Sequence, residues 1–414
     1  MRLVAGPSGP LRGEPAIPGD KSCSHRALIL GAMAKGTTRI CGLLESDDVL
    51  ATARAMAALG AKVERTGPGE WRVSGASWTS PAEPIDCGNS GTAARLLLGA
   101  CAGVEGLVVT LTGDASLSTR PMRRVTAPLE RMGAKFTGGD HLPITVHGAR
   151  LGGIHHVNAP ASAQVKSALL LAGITSGVAV TIEEPIASRD HSEIMLREFG
   201  DPLTGCHIEI AADPSSAAFP LVAAAIVPGS EATVRGMLVN PLRTGLYEVL
   251  EEMGADLSLA GEHVQSGEIV ADMTIRHAPL QPCHVTADRI PALIDEIPAL
   301  AVACAFADGE SVIGGLAELR VKESDRLGAI VAGLVACGVA SAADGDTLRI
   351  FGRGTVRGGG RVVTHGDHRI AMAFIVLGLG AEQPVEVDEA EMIATSFPGF
   401  VEMMQGLGAD VREA

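Results

Sequence analysis

Seven short stretches of this 414-residue chain gather side chains able to handle charged small molecules. The first, Pro18-Gly19-Asp20-Lys21-Ser22-Cys23-Ser24-His25-Arg26, runs into an apolar helical segment from Ala27 to Ala34. Lys, Ser and Arg around the first turn of a helix can meet an anion together with backbone N–H groups left open there. An exposed polar helix start is the plainer alternative. In the second stretch, Asp86 to Arg95, the small residues around Gly91 let a ligand approach the backbone just ahead of a helix, and a structural turn explains them equally well. The third, Gly113 to Arg124, holds several cations. A charged loop is usually solvated surface, but Arg120 directly before Pro121 is locally restricted and could be aimed. The fourth, Ala161 to Ser167, is another polar helix start and is followed by Ser188-Arg189-Asp190-His191. The fifth sets Asp295 and Glu296 in an apolar run from Ile290 to Phe306, where a carboxylate is either paired or functional because burying it alone is costly. The sixth is Leu319 to Arg326 and the last is His365 to Met372. His365 and His368 have the spacing of a metal pair, yet no further ligand set accompanies them, so no metal site is expected. Together these stretches put cations and small hydroxyl residues beside helix starts, which suits a substrate bearing phosphates and carboxylates.

The elements that must position these residues repeat along the chain. Six times a helical stretch closes on Gly, and most often an alternating segment follows: at Gly60, Gly133, Gly200, Gly254, Gly338 and Gly408. Gly just past a helix suits the left-handed position that other residues enter only against a Cβ penalty. Strand–turn–strand patterns follow, as in Lys62 to Glu64 then Trp71 to Val73, and Lys135 to Thr137 then Ile144 to Val146. The intervals of 73, 67, 54, 84 and 70 residues between these glycines point to six α/β units. Gly200 to Asp213 leaves hardly any room for a hairpin, so the third unit reads as shortened.

Composition narrows the function classes. Apolar residues make up 46% and charged residues 20%, as in a globular protein long enough for two or three domains. Aromatics at 3% and a net charge of −15 disfavour nucleic acid as a partner. The eight cysteines form no C-x-x-C pair, so a reducing compartment is expected rather than a disulfide framework. No apolar run approaches a bilayer span and the first residues lack a signal-peptide core, so a cytoplasmic protein with no membrane partner is expected.

Several of these stretches, taken in combination, are specific. Lys21-Ser22 with Arg26, the Gly88-Asn89-x-Gly91-Thr92 turn, Arg120-Pro121-Met122, Ser162 to Ser167, Arg320 to Arg326 and Asp367-His368-Arg369 closely resemble the 5-enolpyruvylshikimate-3-phosphate synthase family, over about Ile17 to Gly408. The resemblance implies a two-domain inside-out α/β barrel, the enolpyruvyl transferase fold, with six βαβαββ-type repeats and a cleft that closes on substrate. Residues 1–18 plus 214–414 would form one domain of three repeats, and 19–213 the second. The implied reaction moves the enolpyruvyl group of phosphoenolpyruvate to the 5-hydroxyl of shikimate-3-phosphate, on the shikimate pathway to chorismate, with no metal or organic cofactor.

Residue roles follow by motif from the same resemblance. Shikimate-3-phosphate would be held by Lys21, Ser22, Arg26, Ser162, Ala163, Gln164, Arg189, Asp295 and Lys322. Phosphoenolpyruvate would be held by Lys21, Gly91, Arg120, Gln164, Lys322, Arg326 and Arg369. Lys21, Asp295 and Glu323 would be catalytic, Glu323 as general acid toward the methylene carbon and Asp295 as base toward the hydroxyl. Family habit suggests a monomer. Ser162-Ala163-Gln164 and Met392 to Pro398 look like the glyphosate-tolerant bacterial branch, and Thr395 stands where many members have Lys. Gly91 stands where an Ala would crowd glyphosate, so appreciable inhibition by glyphosate is expected. The missing hairpin is a departure from the family. The sister transferase acting on UDP-N-acetylglucosamine fits less well, because the Asp114 to Thr119 loop lacks its Cys and Ser22 replaces its Asn. A non-catalytic anion-binding relative has only the shortened unit in its favour, against intact Lys21, Asp295, Glu323 and Arg369.

Overall fold

The structure, a computed structural model, describes residues 1–414. The chain divides into two compact units, one made of residues 1–18, 211–264 and 269–414, the other of 19–210 with Gln265–Glu268. The second boundary thus lies at 210/211, not 213/214. The reason is local hydrogen bonding. Ala212 donates to Gly236 and accepts from Leu238, so the chain is tied to the strand Glu231–Leu238 before the helix Pro214–Ile226 begins. The four-residue excursion at 265–268 has no counterpart in the expected boundaries.

The unit built on 19–210 contains three sheets. The first orders His207–Glu209, Thr37–Cys41, Glu70–Ser74 and Lys62–Gly67, and the second Ile85–Asp86, Val108–Thr112, Ile144–His147 and Lys135–Gly138. The third has only two parallel strands, Ile154–Val157 and Val180–Glu183. The other unit contains three four-stranded sheets, one of them ordering Arg361–Val362, Val385–Val387, Leu3–Gly6 and Asp410–Glu413. Each four-stranded sheet has one central strand that pairs parallel on one side and antiparallel on the other. In the third sheet the antiparallel side of Val180–Glu183 is missing. Beside it lies a groove of about 960 Å³ lined in part by Trp78, Leu170, Ile174, Val180, Leu196 and Leu203. The six helix-ending glycines all have positive φ, from 73° to 108°.

The cores account for the composition. In the first-described unit of three sheets, the helices Gly91–Ala102 and Ala163–Ser176 approach so closely that a Cβ on Gly99 would fall 2.1 Å from the Ala168 carbonyl oxygen. Small residues make that backbone contact possible. In the other unit, the helices Pro214–Ile226, Ile297–Phe306 and His368–Gly380 pack against one another and are buried nearly all round, which explains why they are apolar beyond their first turns. No helix is long and apolar enough to cross a membrane.

Candidate active site

Caps place the functional side chains at helix starts. Asp20, Ser90, Ser162, Asp325 and Asp367 each accept a hydrogen bond from a backbone N–H in the first turn of the helix that follows, so Lys21, Gly91, Ala163, Arg326 and the residues just after them sit where the helix dipole favours anions.

In the unit built on 19–210, Lys21 is ion-paired with the buried Asp48. Arg26, 4% exposed, donates to the Ser22 carbonyl at 2.9 Å, to Ser192 Oγ at 2.7 Å and to Ser167 Oγ at 2.6 Å. Burial pulls its pKa down, and the charge of Arg189 acts in the same direction against Asp20 and Glu193. Gln164 accepts from Arg95 at 3.0 Å and donates to Thr92 at 3.0 Å. Arg120, 6% exposed, donates to Asn89 Oδ1 at 3.0 Å. A Cβ on Gly91 would lie 2.8 Å from Arg95 Nη1 and 3.0 Å from Arg120 Nη1. Thus Gly91, Arg95, Arg120 and Gln164 form one group, and Ser22 with Arg26 another. Ser162 spends its hydroxyl on capping at 3.4 Å from Val165 N. Lys166 is held by Glu184 and Glu193 at 2.7 and 2.8 Å. Of the other loop cations, Arg123 pairs with Glu130 on the surface.

In the other unit the cluster centres on Arg326, which is 1% exposed. Its Nε donates to Asp367 Oδ2 at 2.8 Å, while Nη2 lies 2.5 Å from Glu323 Oε2 and Nη1 lies 3.6 Å from Asp295 Oδ1. Burial alone would lower its pKa, but the charges of Asp367, Glu323 and Asp295 hold it above the ordinary value. Lys322 Nζ donates to Asp295 Oδ1 at 3.3 Å, and Arg369 Nη1 donates to the Asp295 carbonyl at 3.0 Å. Asp295, Lys322, Glu323, Arg326 and Arg369 are therefore one constellation. Thr395 donates to Met392 O at 2.7 Å and lies 3.5 Å from His368 Nδ1.

Asp48 and the role of Asp367 carry no mark in the sequence, whereas Arg95 closes the second of the stretches named above. Arg95, a lone cation in the apolar helix Gly91–Ala102, was the detectable signal; nothing local marked Asp48 as the partner of Lys21.

His25 sits fully buried near Lys21 and Arg26, its Nδ1 2.8 Å from Thr52 Oγ1. Burial, then the charges of Lys21 and Arg26, hold its pKa well below the ordinary histidine value. The folded chain keeps it neutral while the unfolded chain protonates it near pH ~6.5. Its contribution to stability is therefore full above that pH and is lost as pH falls below it. Denaturant unfolding at pH 7.5 and 5.5 is expected to show a loss of stability that His25→Asn makes smaller; equal slopes for both proteins would refute it.

Three comparisons with known proteins bear on this arrangement. The structure resembles the EPSP synthase from Acinetobacter baumannii, with TM-score 0.86 and 39% identity over all of both chains. It also resembles the enolpyruvyl transferase NikO from Streptomyces tendae, with TM-score 0.77, 18% identity and coverage of 100% and 98%, a likeness of fold alone. The fold is that of the enolpyruvyl transferases. The family described as EPSP synthase (3-phosphoshikimate 1-carboxyvinyltransferase) matches residues 6–404. A 3-phosphoshikimate 1-carboxyvinyltransferase of Phenylobacterium zucineum is 53% identical over 432 aligned positions, covering 99% of this chain and 95% of the relative. One of Caulobacter vibrioides is 52% identical over 439, covering 100% and 99%. The chain belongs to the EPSP synthase family.

Proposed function

We propose that the chain is an active 3-phosphoshikimate 1-carboxyvinyltransferase, transferring the enolpyruvyl group of phosphoenolpyruvate to the 5-hydroxyl of shikimate-3-phosphate with release of phosphate. The observation that carries the reading is the Asp295–Lys322–Glu323–Arg326–Arg369 constellation in a chain of this family. Addition requires a proton on the methylene carbon and the loss of one from the hydroxyl, and two carboxylates among cations can serve both. Glu323 is the acid and Asp295 the base, with Lys21 assisting. Lys322, Arg326 and Arg369, together with Arg120 and the backbone at Gly91, take the phosphate and carboxylate of phosphoenolpyruvate; Ser22, Arg26, Ser162, Ala163, Gln164 and Arg189 take shikimate-3-phosphate. Glu323 lies in ion-pair contact with Arg326. In elimination Glu323 takes a proton back from the new methyl group, the carbon–carbon double bond re-forms and the C–O bond to phosphate breaks, phosphate leaving with the proton that Asp295 took from the hydroxyl.

The decisive experiment is phosphate release by purified protein. Release that requires both substrates supports the transferase; none from folded protein that still binds shikimate-3-phosphate favours the anion-binding relative. The expected working form is a cytoplasmic monomer.

The same reading makes glyphosate an inhibitor. Gly91 stands beside the Arg95 and Arg120 guanidinium groups, two cations suited to an anion such as glyphosate. Gly91→Ala should push the Arg95 and Arg120 guanidinium groups aside by its Cβ, raising both the KM for phosphoenolpyruvate and the glyphosate inhibition constant. An inhibition constant in the millimolar range for the unsubstituted enzyme would sink this part of the reading.

A further inference from the structure

Two of the eight cysteines face each other. Cys283 Sγ and Cys304 Sγ are 3.6 Å apart, with Cys283 at 9% exposure and Cys304 fully buried. Hydrogen bonds and a helix place both backbones. Cys283 N donates to Ser311 Oγ at 3.2 Å and its carbonyl accepts from Val312 at 2.9 Å, while Cys304 lies in the helix Ile297–Phe306. The sulfurs thus meet across a seam between a strand edge and a helix, in a place the transferase reaction does not use.

We propose that Cys283 and Cys304 form a peroxide-sensitive thiol pair, Cys283 being the attacked sulfur and Cys304 the resolving one. Exposure assigns the order, since an oxidant reaches Cys283 first. The Cys304 thiol hydrogen bond holds the pKa of Cys283 below the ordinary cysteine value, with Ser311 and Arg289 acting in the same direction against burial. That hydrogen bond and burial push Cys304 well up. A thiolate is the nucleophile in such chemistry. By contrast, burial pushes the thiols of Cys87 and Cys337 up to about 12 and raises that of Cys101, which leaves them protonated and slow.

The step balances with hydrogen peroxide as oxidant. The Cys283 thiolate attacks one peroxide oxygen, the O–O bond breaks, and the expelled hydroxide takes a proton to give water. The resulting Cys283 sulfenic acid is attacked by the Cys304 sulfur; the S–S bond forms, and hydroxide leaves with the Cys304 proton as a second water. Two thiols are oxidised and one peroxide is reduced. Sulfurs 3.6 Å apart need to close by about 1.6 Å to reach disulfide bonding distance, a movement within reach of thiol rotation and small helix shifts.

The test exposes the native full chain to excess hydrogen peroxide, then denatures it, alkylates the remaining thiols and maps the peptides by mass spectrometry. The expected product is a peptide pair joining Cys283 to Cys304, lighter by two hydrogens than its reduced halves, with Cys87, Cys101 and Cys337 alkylated. Dithiothreitol should return both halves. Cys304→Ser removes the resolving sulfur, so Cys283 should then be trapped by dimedone as the sulfenic acid. If that variant does not fold, the mapping of the unsubstituted chain decides alone. Recovery of Cys283 as an alkylated thiol after an exposure that oxidises free glutathione fully, or as sulfinic acid without the cross-link, overturns the proposal.

Discussion

Replacing Glu323 by Gln is expected to lower kcat by about a hundred- to ten-thousandfold, the usual contribution of a positioned general acid. The amide keeps the size of the carboxylate, whose Oε2 lies 2.5 Å from Arg326 Nη2. What it cannot do is carry the proton to the methylene carbon. The substitution also takes one negative charge from a cluster in which Asp295, Glu323 and Asp367 surround Arg326. Phosphoenolpyruvate should therefore bind no more weakly, and the loss should appear in kcat with KM unchanged or lowered. Steady-state phosphate release, with calorimetry for shikimate-3-phosphate, reads both quantities. A variant with undiminished kcat would remove Glu323 from the chemistry and point to a different proton donor.

Arg326→Met should unfold the larger discontinuous unit at lower denaturant, with a loss of about 3–5 kcal/mol, the range for breaking a buried ion pair from one side. Asp367 is fully buried, and in the variant its remaining partners are Ser324 Oγ at 3.1 Å and the Arg369 N–H at 3.0 Å. Those hydrogen bonds ease but do not replace a guanidinium at 2.8 Å. Adding Asp367→Asn removes the stranded charge and should recover part of the loss, so the double-mutant cycle measures the coupling. Arg326→Lys keeps the charge without the planar fork and should fall between. Equal stability in all four proteins would show that the charges here offset one another and that Arg326 is held for function alone.

Much of the fold was legible because its signals are local. A Cβ at Gly60 or Gly133 would oppose a positive φ regardless of what lies far away, so the helix endings could be read one at a time. The short interval after Gly200 reads as a shortened third unit, and the third sheet has two strands. What could not be read was the fate of His207–Glu209, which pairs parallel with Arg39–Cys41. The strands are short and widely separated in sequence, and nothing in three residues names a partner. The same division holds for the site. Cations at helix starts were visible by type and position, whereas Asp48 under Lys21 and Asp367 under Arg326 depend on tertiary placement. The second unit boundary slipped for the same reason, since the bonds of Ala212 to Gly236 and Leu238 are made by backbone that carries no sequence mark.

The strand Leu3–Gly6 lies between Val385–Val387 and Asp410–Glu413, with Leu3 opposite Val387 and Gly6 opposite Asp410. During synthesis this strand is made long before either of its neighbours. Residues 19–210, by contrast, hold nearly all of one unit in a single uninterrupted stretch. That stretch can take shape while the rest is still being translated. The opening residues must meanwhile stay unpaired, with apolar side chains such as Leu3 and Ala5 awaiting burial. The closing of this sheet therefore waits for residues 385–413, and a chain cut before Asp410 would leave Leu3–Gly6 covered along one edge only.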